Sequence, residues 1–166
     1  ETVDTIDYQE FQQKYFIPQI PVKIKNLLSD APANGKWTPS YLSDRIGDIE
    51  VGVFNNNPNL LDRSQKSAPQ KMKFSDYVDL ISAGPTDARL HLFNMFKHLP
   101  ELKNDFEFPH VADNILKALP FAFIGGEGSG ARLHRDMDNA NVFLTEFYGR
   151  KKVVLFGPEY DKLLYK

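Results

Sequence analysis

The 166 residues contain no cysteine, which excludes a disulfide framework, a thiolate zinc site and a cysteine nucleophile, and removes the usual clue to redox compartment. Excess charge is lacking too: 20 Lys and Arg stand against 22 Asp and Glu, a formal net charge of −2. No bulk positive field is there to hold a polyanion, so nucleic acid is not expected as a main partner. No apolar run approaches the roughly 18–20 residues of a membrane span, and Glu1 followed by polar residues is no signal peptide. The expectation is therefore no membrane partner and a cytoplasmic location. Histidine is scarce, with four residues, which speaks against any site that needs a large histidine cluster. What the chain does have is 42% hydrophobic and 25% charged residues, enough to bury a core at a length that suits one domain.

Periodicity and breakers divide it into short elements. Tyr8, Phe11, Tyr15 and Phe16 fall near helical spacing, and Pro18 and Pro21 then force the chain into an extended Val22-Lys23-Ile24. Ser29 to Lys36 reads as loop, and Thr38-Pro39 as the cap and first residue of a helix ending at Gly47, with Tyr41, Leu42 and Ile46 as its apolar stripe. Ile49 to Phe54 is a strand candidate, Asn55 to Lys71 a long polar loop, and Phe74 to Gly84 a helix. Arg89 to Met95 predicts a strand, Val111 to Leu119 a helix between two prolines, and Phe121 to Ile124 a short strand. After the glycine-rich run Gly125 to Gly130 the candidates are all strands: Arg132 to Asp136, Val142 to Tyr148 and Lys152 to Phe156. Residues 1–120 thus read as mixed α/β and residues 121–166 as β.

His134-Arg135-Asp136 is the first chemical candidate. In a strand, residues i and i+2 project from one face, so the imidazole and the carboxylate could bind one metal ion side by side. Two histidines and one carboxylate on one octahedral face hold non-haem Fe(II) with three positions open, and this motif supplies two of those three donors. Alone it is a weak signal, because four histidines among 22 acidic residues make one such pair unsurprising. Downstream, Gly149-Arg150-Lys151-Lys152 sets cations at the mouth of the apolar Val153-Val154-Leu155-Phe156, where a lysine could pair with a carboxylate ligand or simply solvate a turn. His-Arg-Asp followed by Asn141 and Leu155-Phe156-Gly157 also mimics a protein-kinase catalytic loop. That reading fails because the metal-binding Asp of the kinase triplet is Leu155 here and the glycine-rich loop abuts the His-Arg-Asp itself.

In their order, Phe11, Pro21 to Ile24, Trp37-Thr38, Tyr41-Leu42, Gly47-Asp48, Pro100-Glu101-Leu102, Asp105, Pro109, Gly126 to Gly130, His134-Arg135-Asp136, Gly149 to Lys152 and Leu155 to Pro158 resemble the cupin-like JmjC family over essentially the whole chain. The resemblance implies a mainly β, double-stranded β-helix (jelly-roll) fold with an N-terminal α/β extension, Fe(II) and 2-oxoglutarate as cofactors, and oxidative hydroxylation of a protein side chain or a small molecule. Carried over by position, it makes His134 and Asp136 metal ligands and Lys151 the partner of the distal 2-oxoglutarate carboxylate. His91 falls where relatives often have a carboxylate-binding tyrosine, Ala131 where they often have a threonine hydroxyl, and Asn141 near an asparagine beside the metal. The family's third ligand is a histidine well downstream of His-x-Asp, whereas His91, His98 and His110 all lie upstream, the last two reading as polar loop or cap residues. The expectation is thus a single domain over 1–166 that is the front portion of a longer protein. A non-catalytic cupin-like binding module is the alternative, and a small-molecule cupin such as a metal-dependent sugar isomerase would need more histidines. Homodimerisation, known in the family, stays open.

Overall fold

Capping chemistry decides where the helices begin. The computed structural model describes residues 1–56, 68–112, 121–136 and 141–164. The Asp7 carboxylate accepts from the Glu10 amide at 2.8 Å and starts helix α1, Tyr8–Phe11, which runs on into a π-helical turn, Gln12–Phe16. Thr38 does the same for α3, Pro39–Ile46, its hydroxyl accepting from the Tyr41 amide at 3.1 Å with Pro39 in the first turn. Between them lies α2, Ala33–Lys36, a single irregular turn inside the expected loop; Gly35 takes φ of +75°, a left-handed conformation that a side chain would strain.

Three small sheets hold the strands among the described residues. Strand β1, Thr2–Val3, pairs in parallel with β2, Lys23–Ile24, a contact too short to be read from sequence. Strand β3, Glu50–Val53, runs antiparallel to β4, Gln70–Lys73, so the last two residues of the expected loop, Gln70 and Lys71, belong to a strand; residues 57–67 of that loop lie outside the described residues. Strand β5, Arg89–Phe93, runs antiparallel to β6, Ala122–Gly125, and an isolated Phe54–Arg89 bridge links β3 to β5. The strand expected to reach Met95 stops at Phe93 because the Asn94 side chain accepts from the Lys97 amide at 3.1 Å and caps a new turn, α5, Met95–His98. Two 3₁₀ segments follow, Pro100–Asp105 and His110–Ala112. Of the helix expected from Val111 to Leu119, Val111 and Ala112 belong to the second of these, and residues 113–120 lie outside the described residues.

Helix α4, Phe74–Ser82, supplies the largest buried side chains, Phe74 and Tyr77, and they pack with Leu42, Ile46, Val51, Val53, Leu90 and Leu102 in the main core. The Tyr77 hydroxyl donates to the Ile124 carbonyl at 2.6 Å, which fixes α4 against β6; burial pushes this phenol well above its ordinary pKa. Trp37 is the other centre, ringed by Phe96, Phe106 and Phe147 at centroid distances of 5.9, 5.6 and 4.8 Å. Its indole N–H donates to buried Asp105 at 2.7 Å, and the Lys36 ammonium donates to the same carboxylate at 2.6 Å. A second, smaller cluster joins Ile6, Phe11, Tyr15 and Val111, held where His110 Nε2 lies 2.9 Å from the Ile6 carbonyl.

The late strands are where sequence and structure part. Arg132 to Asp136, Val142 to Tyr148 and Lys152 to Phe156 form no strand, and they meet no ladder partner among the described residues. High β-propensity does not make a strand without a neighbour to receive its N–H and C=O groups. The segment is attached to the body at rings instead, Phe143 lying 6.0 Å from Phe11 and Phe147 packing on Trp37. The described residues thus form no closed β-barrel, and no described helix is long and apolar enough to cross a membrane.

Candidate metal and cosubstrate site

The glycine-rich run turns the chain out of β6. Gly128 takes φ of +88°, the Thr86 amide donates to the Glu127 carbonyl at 2.7 Å, and a Cβ on Gly125 would collide with the Ser129 side chain. From this turn the chain passes directly into Ala131 to Asp136, all of it exposed.

His134 and Asp136 come together, though not by the expected route. With no strand pleat to align them, a local bond does the work: His134 Nδ1 lies 2.6 Å from the Arg132 carbonyl. A carbonyl oxygen can only accept, so Nδ1 is the donor in this bond, and in the neutral imidazole that leaves the lone pair on Nε2. That Nε2 faces Asp136 Oδ1 at 3.5 Å, with both side chains about half exposed, at 57% and 53%. A protonated Nδ1 bonded to a backbone carbonyl is the arrangement in which a histidine offers Nε2 to a metal. His134 and Asp136 thus form a pair, and no group of three or more His, Cys, Asp or Glu that could hold a metal ion occurs among the described residues.

Two flanking arginines pin the motif. Arg135 donates to Asp161 at 2.9 Å, and Arg132 donates to the Asn56 carbonyl at 3.0 Å. Neither tie has a sequence signature, since each partner is far away in the chain. His91 and Lys151 meet on a residue the sequence reading did not single out, Phe123 of β6. The His91 ring packs edge-on to Phe123 at 5.3 Å and to Phe54 at 6.0 Å, and Lys151 Nζ stands 5.8 Å from the Phe123 ring centre. Lys151 also lies 3.9 Å from Glu146 Oε2, a loose pair whose carboxylate an incoming anion would have to replace. Asn141 is exposed and makes no hydrogen bond to His134 or Asp136 among the described residues. His98 is exposed and stacks on Phe93, and His110 serves the Ile6 contact, so both have local partners away from the pair. A shallow depression of about 480 Å³ lined by Asp44, Gly47, Asp48, Ser75 and His98 includes none of the candidate residues.

The chain matches the cupin-like domain family over residues 8–166. It belongs to that family, in its JmjC-like branch. It is 27% identical to the lysine-specific demethylase JMJ21 of Arabidopsis thaliana, over 92% of this chain and 16% of that protein. It is 26% identical to the arginine-specific demethylase JMJ22 of the same plant, over 93% of this chain and 30% of that protein. The tRNA wybutosine-synthesizing protein 5 of Gallus gallus is also 26% identical, over 99% of this chain and 57% of that protein. The cupin-like chain thus spans less than two-thirds of the length of these curated relatives. Membership implies a jelly-roll fold, and JmjC-type members of the family are oxygenases that generally use Fe(II) and 2-oxoglutarate.

Proposed function

We propose that the protein is an Fe(II)- and 2-oxoglutarate-dependent dioxygenase that hydroxylates a protein side chain or a small molecule. The observation that carries this reading is the placement of the His134 ring: Nδ1 lies on the Arg132 carbonyl, and Nε2 is turned toward Asp136. In this reading His134 and Asp136 are two of three protein ligands. Bound iron and 2-oxoglutarate would together supply the oxidising chemistry. Lys151 would hold the distal carboxylate of the cosubstrate, exchanging its loose contact with Glu146 for a direct charge-assisted bond. His91, packed edge-on to the same Phe123 ring, would add a second donor. Asn141, by its place in sequence, would sit beside the metal once the site is filled. Names of the relatives point to lysine, arginine and tRNA chemistry in those proteins, and a protein side chain is the substrate class favoured here, given a net charge of −2 with no basic excess to hold RNA.

The test is O₂-dependent succinate formation from 2-oxoglutarate by the full-length, Fe(II)-loaded protein. His134→Ala and Asp136→Ala are expected to reduce it to background. Lys151→Ala is expected to raise the 2-oxoglutarate concentration for half-maximal rate about ten- to a hundredfold, the range for losing a hydrogen bond to a charged group. Succinate formation unchanged in all three variants would overturn the assignment. Metal binding without succinate would instead favour a non-catalytic cupin-like module, a reading that Ala131 and the two-donor cluster support.

A further inference from the structure

Arg132 occupies an unusual place: it anchors the metal motif and is itself anchored. Its backbone carbonyl takes the His134 Nδ1 proton, while its guanidinium reaches across the chain to the Asn56 carbonyl at 3.0 Å. Asn56 in turn is held on two further sides. Its amide donates to Asp87 Oδ2 at 2.9 Å, and its side-chain oxygen accepts from Arg89 Nη1 at 2.8 Å. Arg89 is fastened by both backbone bonds of the Phe54 bridge, each 2.9 Å, and lies two residues before His91 on β5. One connected set of polar contacts therefore runs from the strand that carries His91, through Asn56, to the residue that orients His134.

We infer that Arg132, held on Asn56, is a positioning residue that sets the imidazole of His134 for metal binding and couples the metal motif to strand β5. The inference rests on the metal-site reading above. Segment 131–136 has no ladder bonds among the described residues, and side-chain tethers take the place that sheet pairing holds elsewhere. Removing the guanidinium leaves the Arg132 carbonyl in place chemically and frees it in space. The His134 bond then no longer defines a direction for Nε2.

Co(II) added to the intact protein is the probe, because its visible d–d bands report coordination directly and need no turnover. Arg132→Ala is expected to weaken Co(II) binding about tenfold, the low end of what loss of an orienting contact costs a metal site. Thermal melting of the metal-free protein should stay as in wild type, since the residue is exposed. Arg132→Lys, which can still reach the Asn56 carbonyl with one donor, should recover part of the affinity. Asn56→Ala, which cuts the Arg89 link while leaving the carbonyl, should fall between wild type and Arg132→Ala. Equal affinity in wild type and Arg132→Ala overturns the inference, as does a loss that tracks a lowered melting temperature and is not rescued by Lys. If wild type and His134→Ala both fail to bind Co(II), the metal-site reading itself is refuted and the inference goes with it; if wild type binds and only the Arg132 effect is missing, the metal site stands.

Discussion

Two runs of similar apolar character meet opposite fates in this molecule. In Phe121-Ala122-Phe123-Ile124 the last three residues form most of strand β6, paired along β5 and bonded by the Tyr77 hydroxyl at Ile124. Val153-Val154-Leu155-Phe156 is the more β-branched and apolar of the two, yet it stays irregular, with Val154 60% and Leu155 65% exposed. Composition therefore does not decide strand formation here; the presence of a neighbouring strand does. In the body, helix α4 covers one side of the β3 and β5 strands and turns apolar residues into core. Over residues 141–164 contact comes through rings rather than ladders, Phe147 on the main core and Phe143 on Phe11 of the smaller cluster.

The sharpest way to test this contrast is to remove a large side chain from the covered side. Phe74 is fully buried and stacks on Phe93 with ring centres 5.8 Å apart. Phe74→Ala removes a ring from a packed site and is expected to cost about 3–5 kcal/mol, seen as a lowered urea midpoint with an unchanged slope. A loss below about 1 kcal/mol would mean that the body is as loosely covered as the late segment.

Asp105 probes the polar side of the same core. Burial alone would raise its carboxyl pKa, but the bonds from Lys36 and Trp37 outweigh that and hold it below the usual carboxylate range. A group whose folded pKa is depressed contributes stability that is present above its unfolded value of about 3.9, and that is lost as pH falls through the lower folded value. Asp105→Asn keeps an acceptor for the indole N–H but loses the charge facing Lys36, so it should cost about 1–3 kcal/mol at pH 7. The difference from wild type should shrink as the pH is lowered below about 4, read from urea unfolding at a series of pH values. A gap that stays constant with pH would show that the carboxylate is not held ionised by these partners.

How much of this was legible beforehand follows the same physical line. Local rules worked: Thr38-Pro39 opened α3 as expected, and the Phe74 to Gly84 pattern gave α4 nearly to its end. They worked because caps and helical stripes are written within four residues of one another. The His-x-Asp spacing did bring two side chains to 3.5 Å, but through a histidine-to-carbonyl bond that no strand argument contains. Asn94 ended β5 early because a side-chain cap overrode the apolar run, a competition between two local signals that propensity alone cannot rank. Phe123, Asn56 and Asp161 were missed as neighbours of the candidate residues, since each of these contacts joins positions remote in sequence. The resemblance of many small motifs in order carried the family, which no single one of them could have done.

The smallest expected effect is the one that most directly tests the other half of the contrast. Leu155 is exposed in an unpaired segment, so Leu155→Ala should change the stability of the protein by less than about 0.5 kcal/mol, the range for surface positions free of special contacts. Unfolding in urea at two protein concentrations makes the measurement decisive. A small effect at both concentrations means that this run is open to solvent and contributes little. An effect above about 1 kcal/mol that does not change with concentration means that another part of the same chain covers Leu155, at which point an apolar strand has found its ladder. An effect that grows with concentration means that a second copy covers it, because only an association between chains makes the apparent stability depend on how much protein is present.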